Sequence, residues 1–276
     1  MNIEWLQRIN KFWDDDSFRF KVKDREKYLK LLEGKERLIR VLVGARRVGK
    51  TFILYSMINK LLDKRKKVIY ISGELREVSV YGFGEVIEEA LKIRKWMVTD
   101  EVYVFVDDIQ EIKNWQKTIK LYYDYSKFKF LVTGSSSLVL NSQTSKLTGR
   151  FLTIPVMPLE YREWLEFTDK KVVSQSSVEE YLYTGGYPEY VISRNGNYLR
   201  EVVESTLYRD LLSYYGIRNP ELLEELMHYL ADKITTPVSN LRVKADLKVD
   251  NKTASFYLKY LEEVYLLWPL YRKCGA

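Results

Sequence analysis

The chain has 276 residues, of which 46% are hydrophobic, and a formal net charge of +7. This composition is globular rather than disordered, and no apolar run approaches the length that crosses a bilayer. With one cysteine, Cys274, the sequence excludes an internal disulfide and a thiolate zinc site. The single histidine, His228, is expected to be a partly buried residue of an amphipathic helix, which argues against a Ser-His-Asp triad and a histidine metal cluster. The N-terminus lacks the apolar core of a signal peptide, so we expect a cytoplasmic protein without a membrane partner.

Charged residues of both signs make up 30% of the chain, and this mixture is typical of heat-adapted proteins. The positive excess favours a polyanionic partner, either a nucleotide or a nucleic acid. Charge alone does not distinguish between these two partners.

Strands and helices are predicted to alternate after an N-terminal helix, "KDREKYLKLLEGKE", that ends at Gly34. The predicted strands are "RLIRVLV", "KKVIYISG", "EVYVFVDD", "KFKFLVTGSSS" and "FLTIPVMP", and the helices between the first four are "KTFILYSMINKLLDK", "GEVIEEALKIRK" and "NWQKTIKLYYDY". The nearly continuous apolar strands predict burial on both faces, and their alternation with helices predicts a parallel sheet with right-handed crossovers. The fold class is therefore α/β, with a five-stranded parallel sheet and a ligand site beyond the carboxyl ends of the strands.

The character of the sequence changes after "PLEYREWLEF". The polar run "TDKKVVSQSS" is typical of a linker, so the first domain is expected to span residues 1–167. A helical lid or linker is expected over 168–220, broken at "TGGYPEY" and "YGIRNPE". Residues 221–276 are expected to form a separate C-terminal module.

The stretch "GARRVGKT", residues 44–51, fits the phosphate-binding pattern G-x-x-x-x-G-K-[ST] between a strand and a helix. Consecutive backbone N–H groups of such a loop cradle phosphate oxygens, and the helix N-terminus adds partial positive charge. Lys50 is expected to reach the β- and γ-phosphates, and Thr51 to ligate Mg²⁺. For Arg46 and Arg47, solvated loop charges are the alternative. The predicted nucleotide-binding residues are Gly44, Ala45, Arg46, Arg47, Val48, Gly49, Lys50, Thr51 and Phe52.

The strand "VYVFVDD" ends in two acids, Asp107 and Asp108. An aspartate that closes an apolar strand is costly unless something uses its charge. In P-loop enzymes the first acid holds the Mg²⁺ shell, usually through water, and the second orients or polarises the attacking water. Asp107 is therefore expected to take the metal role and Asp108 the water role. For either residue, the alternative is an N-terminal cap of the following helix.

Further catalytic candidates lie near the fourth and fifth strands. Thr133 or Ser135, in "VTGSSS", could hydrogen-bond the attacking water or the γ-phosphate, and an ordinary turn is the alternative. Arg150 precedes the fifth strand and could neutralise charge in the transition state, supplied in cis or by a neighbouring subunit. A surface or structural arginine is the alternative there.

The motifs "VGARRVGKT", "VFVDDIQEIKNWQ", "LVTGSSS", "LTGRF", "PLEYREWL" and "YTGGYPEYV" occur in this order. From about Tyr28 to Arg272 the sequence resembles archaeal-type ATPases of the AAA+ superfamily, close to the signal-transduction ATPases. The resemblance implies that the first strand lies between the fourth and the fifth, with the third strand beyond the fourth. It also implies that Pro188 packs against the adenine from a helical lid and that Arg150 is an arginine finger.

This chain departs from the resemblance at one catalytic position. The family usually has Asp-Glu where this chain has Asp107 and Asp108. Aspartate is one methylene shorter than glutamate, so its reach to the attacking water changes. We therefore expect the chain to bind nucleotide. Hydrolysis could be slow, because the shorter side chain of Asp108 has to reach the attacking water.

The C-terminal module has a helix-turn-helix pattern: a short helix around "SNLRVKAD", the turn "LKVDN" and the helix "KTASFYLKYLEEV". The stretch "YLLWPLYR" is a candidate first wing strand, and the resemblance implies a winged helix. Contact of its polar residues with duplex DNA would give salt-dependent binding, whereas a solvated face or a protein-contact module is the alternative. The candidate DNA-contacting residues are Arg242, Lys244, Lys248, Lys252, Ser255 and Lys259.

The leading hypothesis from the sequence is a Mg²⁺-dependent ATPase whose nucleotide cycle moves the winged-helix module. A nucleotide-dependent protein-interaction switch that scarcely hydrolyses ATP is the first alternative. A DNA-binding regulator with a vestigial P-loop is the second. The preference for ATP over GTP comes from the resemblance, and the sequence leaves open whether the partner is a second copy of the chain or another protein.

Overall fold

The computed structural model describes residues 4–34, 36–134, 147, 149–170, 172–212, 217 and 219–270, without the side chains of 209 and 210. The chain divides into two compact units, Met1–Arg194 and Asn195–Ala276. Residues 168–194 of the predicted lid therefore group with the first unit, and the remainder of the predicted lid groups with the second. Each unit is described separately below.

A five-stranded parallel sheet forms the centre of the first unit. Its strand order is β2-β3-β4-β1-β5, which confirms the α/β class and the neighbours of the first strand that the resemblance implied. All five residues of β1 are buried, as expected for a strand covered on both faces. The strands are β1 (Ile39–Val43), β2 (Lys67–Ser72), β3 (Val102–Asp107), β4 (Lys129–Gly134) and β5 (Phe151–Pro155).

Helices surround this sheet and form most of the second unit. No helix in the described ranges combines the length and apolarity needed to cross a bilayer. Short 3₁₀ turns at Lys11–Trp13 and Ile109–Glu111 interrupt the first unit. Its helices are α1 (Glu4–Ile9), α2 (Glu26–Leu32), α3 (Lys50–Asp63), α4 (Arg76–Tyr81), α5 (Phe83–Arg94), α6 (Trp115–Tyr125), α7 (Tyr161–Phe167), α8 (Gln175–Thr184) and α9 (Pro188–Ser193).

The N-terminal segment covers the edge of the sheet at β2. The side-chain amide of Asn10 donates to the carbonyl oxygen of Tyr70 (3.0 Å) and accepts from its N–H (2.7 Å). The indole of Trp13 donates to Val68 O (2.9 Å). These side chains pair backbone groups that an edge strand would otherwise leave open to another chain. No sequence pattern indicated this arrangement, because the contacts join residues 55 to 60 positions apart.

A small apolar cluster explains why residues 168–194 belong to the first unit. Trp164 and Phe167 of α7 pack with Leu159 and with Val191 of α9. The backbone N–H of Leu159 donates to Gly186 O (2.6 Å), and a Cβ at Gly186 would lie 2.4 Å from Leu159 O. Glycine at this position thus lets the segment that leads into α9 approach the end of the sheet domain.

The second unit is helical and has a core of its own. Its core contains Leu223 and Leu226 of α11, Val243 of α12, and Ala254 and Leu261 of α13. The elements are α10 (Gly196–Ser205), a π-helical turn at Thr206–Leu212, α11 (Pro220–Asp232), α12 (Asn240–Leu247) and α13 (Asn251–Glu263). The α12–turn–α13 arrangement matches the predicted positions of the two helices.

The predicted wing strand is wrong over the part of it that is described. Residues 265–270 form no strand. Leu266 and Leu267 instead pack against the helical core of this unit, which uses the apolar residues that suggested a strand. Tyr271 and Arg272 lie outside the described residues.

Candidate nucleotide-binding site

The P-loop connects β1 to α3, and both of its glycines are required by geometry. Gly49 has φ +98°, a conformation that side chains disfavour. A Cβ at Gly44 would lie 2.4 Å from Val156 O, where no side chain fits. The backbone can therefore turn tightly between the buried strand and the N-terminus of α3.

The predicted phosphate-binding lysine lies inside this turn. Lys50 is buried, and its ammonium donates to the carbonyl oxygens of Gly44 (3.0 Å) and Ala45 (2.8 Å). These contacts hold the charge at the mouth of the loop. An anionic group entering the loop would meet a cation already in place.

The other loop residues differ in exposure. Ala45 and Val48 are buried, so they can offer only backbone groups to a ligand. Arg46 is half-buried and Arg47 is exposed. The Phe52 ring is 54% exposed and meets the Tyr55 ring edge-on at 6.2 Å.

Arg25, which the sequence analysis did not identify, helps to orient the P-loop. Two nitrogens of Arg25 bind the carboxylate of Glu163 (2.8 and 2.7 Å), and the guanidinium also donates to Val48 O (3.2 Å) and Met157 O (3.0 Å). The C=O and N–H of a trans peptide point in opposite directions. By holding Val48 O, Arg25 therefore turns the N–H of Gly49 toward the opposite side of the loop.

Asp107 ends β3 in a buried position and is surrounded by hydroxyl groups. Thr133 donates to Oδ1 (2.5 Å) and Tyr70 donates to Oδ2 (3.2 Å). The Thr51 hydroxyl, at the start of α3, also lowers the pKa of this carboxyl. Burial raises the pKa of Asp107, the neighbouring charge of Asp108 raises it further, and the three hydroxyls act in the opposite direction. The predicted metal residues Thr51 and Asp107 thus lie near one another.

Thr133 is fully buried and links the two acids. Its hydroxyl donates to Asp107 and accepts the backbone N–H of Asp108 (2.9 Å). This placement makes Thr133 a support for the acids, whereas the sequence suggested that it faces the water or the phosphate. Ser135, the other residue considered for that role, lies outside the described residues.

Asp108 is half-buried and has a left-handed backbone, with φ 49°. Its Oδ1 accepts a hydrogen bond from the side chain of Gln110 (3.0 Å), and it makes no side-chain cap to the described turn Ile109–Glu111. Asp108 thus stands at the N-cap position of this turn, but its carboxylate does not cap the turn. Gly73 allows this arrangement, because a Cβ there would lie 2.3 Å from Asp108 O.

Pro188 begins α9 beside the P-loop. Its Cγ would be 3.6 Å from a Cβ built on Gly49. Both residues belong to the first unit, so the segment after α8 approaches the loop where a nucleotide would lie. Contact of Pro188 with an adenine stays a prediction.

Arg150 lies at the opposite edge of the sheet. Its carbonyl accepts from the N–H of Ile39, at the start of β1, whereas the P-loop follows the end of β1. At about 3.3 Å per residue, β1 separates these edges by roughly 16 Å. The guanidinium pairs with Asp124 (3.2 Å) and lies over the Tyr123 ring (5.4 Å). The suggested role of Arg150 in cis is therefore wrong.

Residues 36–165 match the model of an AAA domain. Residues 175–273 match a domain of unknown function. The first match includes the P-loop, both acids and Arg150, and it supports an AAA-type P-loop domain in this part of the chain.

The curated relatives are longer than this chain. An uncharacterized protein of Methanocaldococcus jannaschii is 29% identical over 273 residues, covering 91% of this chain and 59% of that protein. An uncharacterized protein of Haemophilus influenzae is 25% identical over 263 residues, covering 88% of this chain and 65% of that protein. The chain thus spans roughly three fifths of these relatives.

Solved structures show a partial likeness. The replication initiator DnaA bound to AMPPCP and single-stranded DNA has a TM-score of 0.44 and 15% identity, covering 87% of this chain and 88% of that chain. A signal transduction ATPase with a tetratricopeptide repeat sensor from Pyrococcus horikoshii has a TM-score of 0.41 and 13% identity, covering 89% of this chain and 40% of that chain.

The raised pKa of Asp107 gives a testable effect on stability. Because this pKa lies above the unfolded value of 3.8, ionising the buried carboxyl destabilises the folded protein increasingly as the pH rises through the folded pKa. We expect Asp107→Asn to raise the melting temperature of the nucleotide-free protein at pH 8. The gain should shrink at low pH, where the wild-type carboxyl is protonated.

Thermal unfolding between pH 4 and 8 measures this effect. Asp124→Asn is the matched control, because the pKa of Asp124 is lowered by its hydrogen bond with Lys120 and its ionised form is stabilising. That variant should lose stability at pH 8. A melting temperature of Asp107→Asn at or below the wild-type value at pH 8 would contradict the burial argument.

Proposed function

We propose that this protein binds ATP with Mg²⁺ at the P-loop and hydrolyses it. The observation that carries the proposal is the geometry of the P-loop, in which the buried ammonium of Lys50 donates to Gly44 O and Ala45 O and is followed by Thr51, together with the buried carboxylate of Asp107 at the end of β3. P-loop enzymes combine these same elements, a phosphate-binding lysine, a hydroxyl ligand and a carboxylate from a nearby strand. The AAA-domain match over residues 36–165 supports the same conclusion.

The residues present fit a magnesium ion. Thr51 and Asp107 offer hard oxygen donors, which Mg²⁺ prefers, and the ion usually completes its shell with waters and substrate phosphates. Within the described residues, no group of three or more His, Cys, Asp or Glu could hold a metal without such help. Bound there, Mg²⁺ would offset negative charge on the β- and γ-phosphates.

Asp108 is the proposed water-orienting residue. It is adjacent to Asp107, half-buried and held by Gln110, so its carboxylate has a defined direction. Its short side chain is also the basis of the alternative function, a nucleotide-dependent protein-interaction switch with little hydrolysis. Single-turnover hydrolysis distinguishes the two functions, since the switch would bind ATP tightly and leave it intact.

Asp108→Ala is expected to lower single-turnover hydrolysis by roughly 100-fold or more, the usual contribution of a positioned acid or base. ATP affinity should stay within about twofold of the wild type, because Lys50, Thr51 and Asp107 are untouched. Glu111→Ala, an exposed acid on the following turn, is the control and should hydrolyse normally. Unchanged hydrolysis in Asp108→Ala would remove Asp108 from the mechanism.

Arg150 is proposed as an arginine finger that acts on a neighbouring copy of the chain. Its position at the amino-terminal edge of the sheet supports this role, because that edge faces away from the P-loop of its own chain. Arg150 contacts Tyr123 and Asp124 of α6. The same helix carries two exposed apolar side chains, Leu121 and Tyr125, which a neighbouring copy could cover. The mass of the particle with and without nucleotide tests the role, and a monomer in both conditions would rule it out.

Duplex DNA binding by the second unit is proposed as a further activity. The specific observation is exposure: all six candidate side chains, Arg242, Lys244, Lys248, Lys252, Ser255 and Lys259, are exposed. The helix that carries three of them, α13, begins at a well-formed cap in which Asp250 accepts from the N–H groups of Lys252 and Thr253 (both 2.9 Å). The cap uses backbone groups, so the exposed side chains of this helix can face a phosphate backbone.

DNA affinity is expected to fall as salt rises from about 50 to 200 mM, because bound phosphates release counterions. Lys252→Ala should weaken binding and reduce the slope of log K against log salt by about one. Lys233→Ala, just after α11, is the control and should leave the slope unchanged. Fluorescence anisotropy with a labelled duplex measures both quantities, and affinity that is absent or independent of salt would contradict DNA binding.

A further inference from the structure

Tyr70 is a residue of the nucleotide site that no motif identifies. It lies in the middle of β2, it is buried, and its hydroxyl donates to Oδ2 of Asp107 (3.2 Å). Thr133 donates to the other oxygen, Oδ1 (2.5 Å). The two hydroxyls approach the carboxylate from the strands on either side of β3.

The strand register explains how Tyr70 reaches the site. In the β2–β3 ladder Ser72 is opposite Asp107, and Tyr70 is opposite Phe105. Residues two apart on a strand share a face of the sheet, so Tyr70 and Asp107 lie on the same face. The long phenol ring spans the two-residue offset that a serine or threonine at this position could not cross.

Contacts with the N-terminal segment hold Tyr70 in place. Asn10 pairs with both its N–H and its carbonyl, which fixes the backbone. The Tyr55 hydroxyl lies 3.3 Å from the Tyr70 hydroxyl, and the Tyr55 ring stacks on Phe20 with centroids 4.0 Å apart. Since the Tyr70 hydroxyl donates its proton to Asp107, the Tyr70 oxygen can accept a hydrogen bond from the Tyr55 hydroxyl. Residues 10–20 therefore hold Tyr70 both directly, through Asn10, and through Tyr55.

We propose that Tyr70 is a positioning residue for the magnesium ligand Asp107, and that residues 10–20 form part of the nucleotide site through it. The proposal rests on the proposed function, since it concerns the same ion. If Thr51 ligates Mg²⁺, its hydroxyl is shared between the ion and Asp107. Thr133 and Tyr70 then remain as the donors, one on each carboxylate oxygen, and together they fix the plane of the carboxylate.

The test is Tyr70→Phe, which keeps the ring and removes only the hydroxyl. Groups that orient a metal ligand typically change metal affinity by roughly 10–100-fold. We expect the Mg²⁺ affinity of the complex with the non-hydrolysable analogue AMPPCP to fall by about 10-fold. Affinity for AMPPCP in EDTA should stay within about twofold, because the P-loop is unchanged. Both are measured by calorimetry, with circular dichroism as the check on folding.

Two further variants sharpen the result. Tyr122→Phe removes the hydroxyl of another buried tyrosine, on α6, and should leave Mg²⁺ affinity unchanged. Asn10→Ala frees the backbone of Tyr70 and should weaken Mg²⁺ binding by several-fold. Wild-type affinity in Asn10→Ala would overturn the part of the proposal that concerns residues 10–20.

The remaining outcomes distinguish this proposal from the proposed function. If wild-type protein binds AMPPCP with Mg²⁺ but Tyr70→Phe binds Mg²⁺ equally well, Tyr70 is not a positioning residue and the proposed function stands. A lower melting temperature with unchanged Mg²⁺ affinity shows a purely structural role and also overturns the proposal. If the folded wild-type protein binds no AMPPCP, the proposed function fails and this proposal fails with it.

Discussion

The site depends on a carboxylate that is buried at the end of a strand. Asp107 is 5% exposed and stands next to a second acid, so its charge is costly unless donors surround it. Hydroxyls offset part of this cost: Thr133 from β4 and Tyr70 from β2 donate to the two carboxylate oxygens, and Thr51 of α3 also lowers the pKa. The carboxylate is thereby held from the strands on both sides of β3, and a bound cation would meet oxygens that are already oriented.

Segments outside the sheet also help to shape the P-loop. Arg25, in the segment before α2, binds Glu163 of α7 and the P-loop carbonyl of Val48. Pro188 at the start of α9 lies beside Gly49. Segments that precede and follow the sheet-forming sequence therefore lie next to the loop. We infer that the AAA-domain match, residues 36–165, is narrower than the structural unit that shapes the nucleotide site.

Local sequence patterns predicted the sheet, the helices that connect its first four strands and the P-loop, because these depend on apolar periodicity and on a motif with fixed spacing. The resemblance added the strand order. The patterns missed Arg25, Tyr70 and Asn10, whose contacts span 23 to 138 positions and look ordinary in their own segments. They placed Arg150 near catalysis without showing that it lies at the far edge of the sheet. Over the described residues 265–270 the predicted wing strand is wrong, because Leu266 and Leu267 pack against a helical core. A short apolar run does not distinguish a strand from a segment that packs against helices.

The most direct measurement is calorimetry of ATP with Mg²⁺ on the folded wild-type protein beside Lys50→Ala. The account predicts saturable binding of ATP to the wild type. The motif places the ammonium of Lys50 at the phosphates, so removing it should weaken this binding. The account predicts an affinity at least about 10-fold weaker for Lys50→Ala, equivalent to about 1.4 kcal/mol or more. Absence of any binding heat from folded wild-type protein, with no protection of its melting temperature by ATP, would contradict the account.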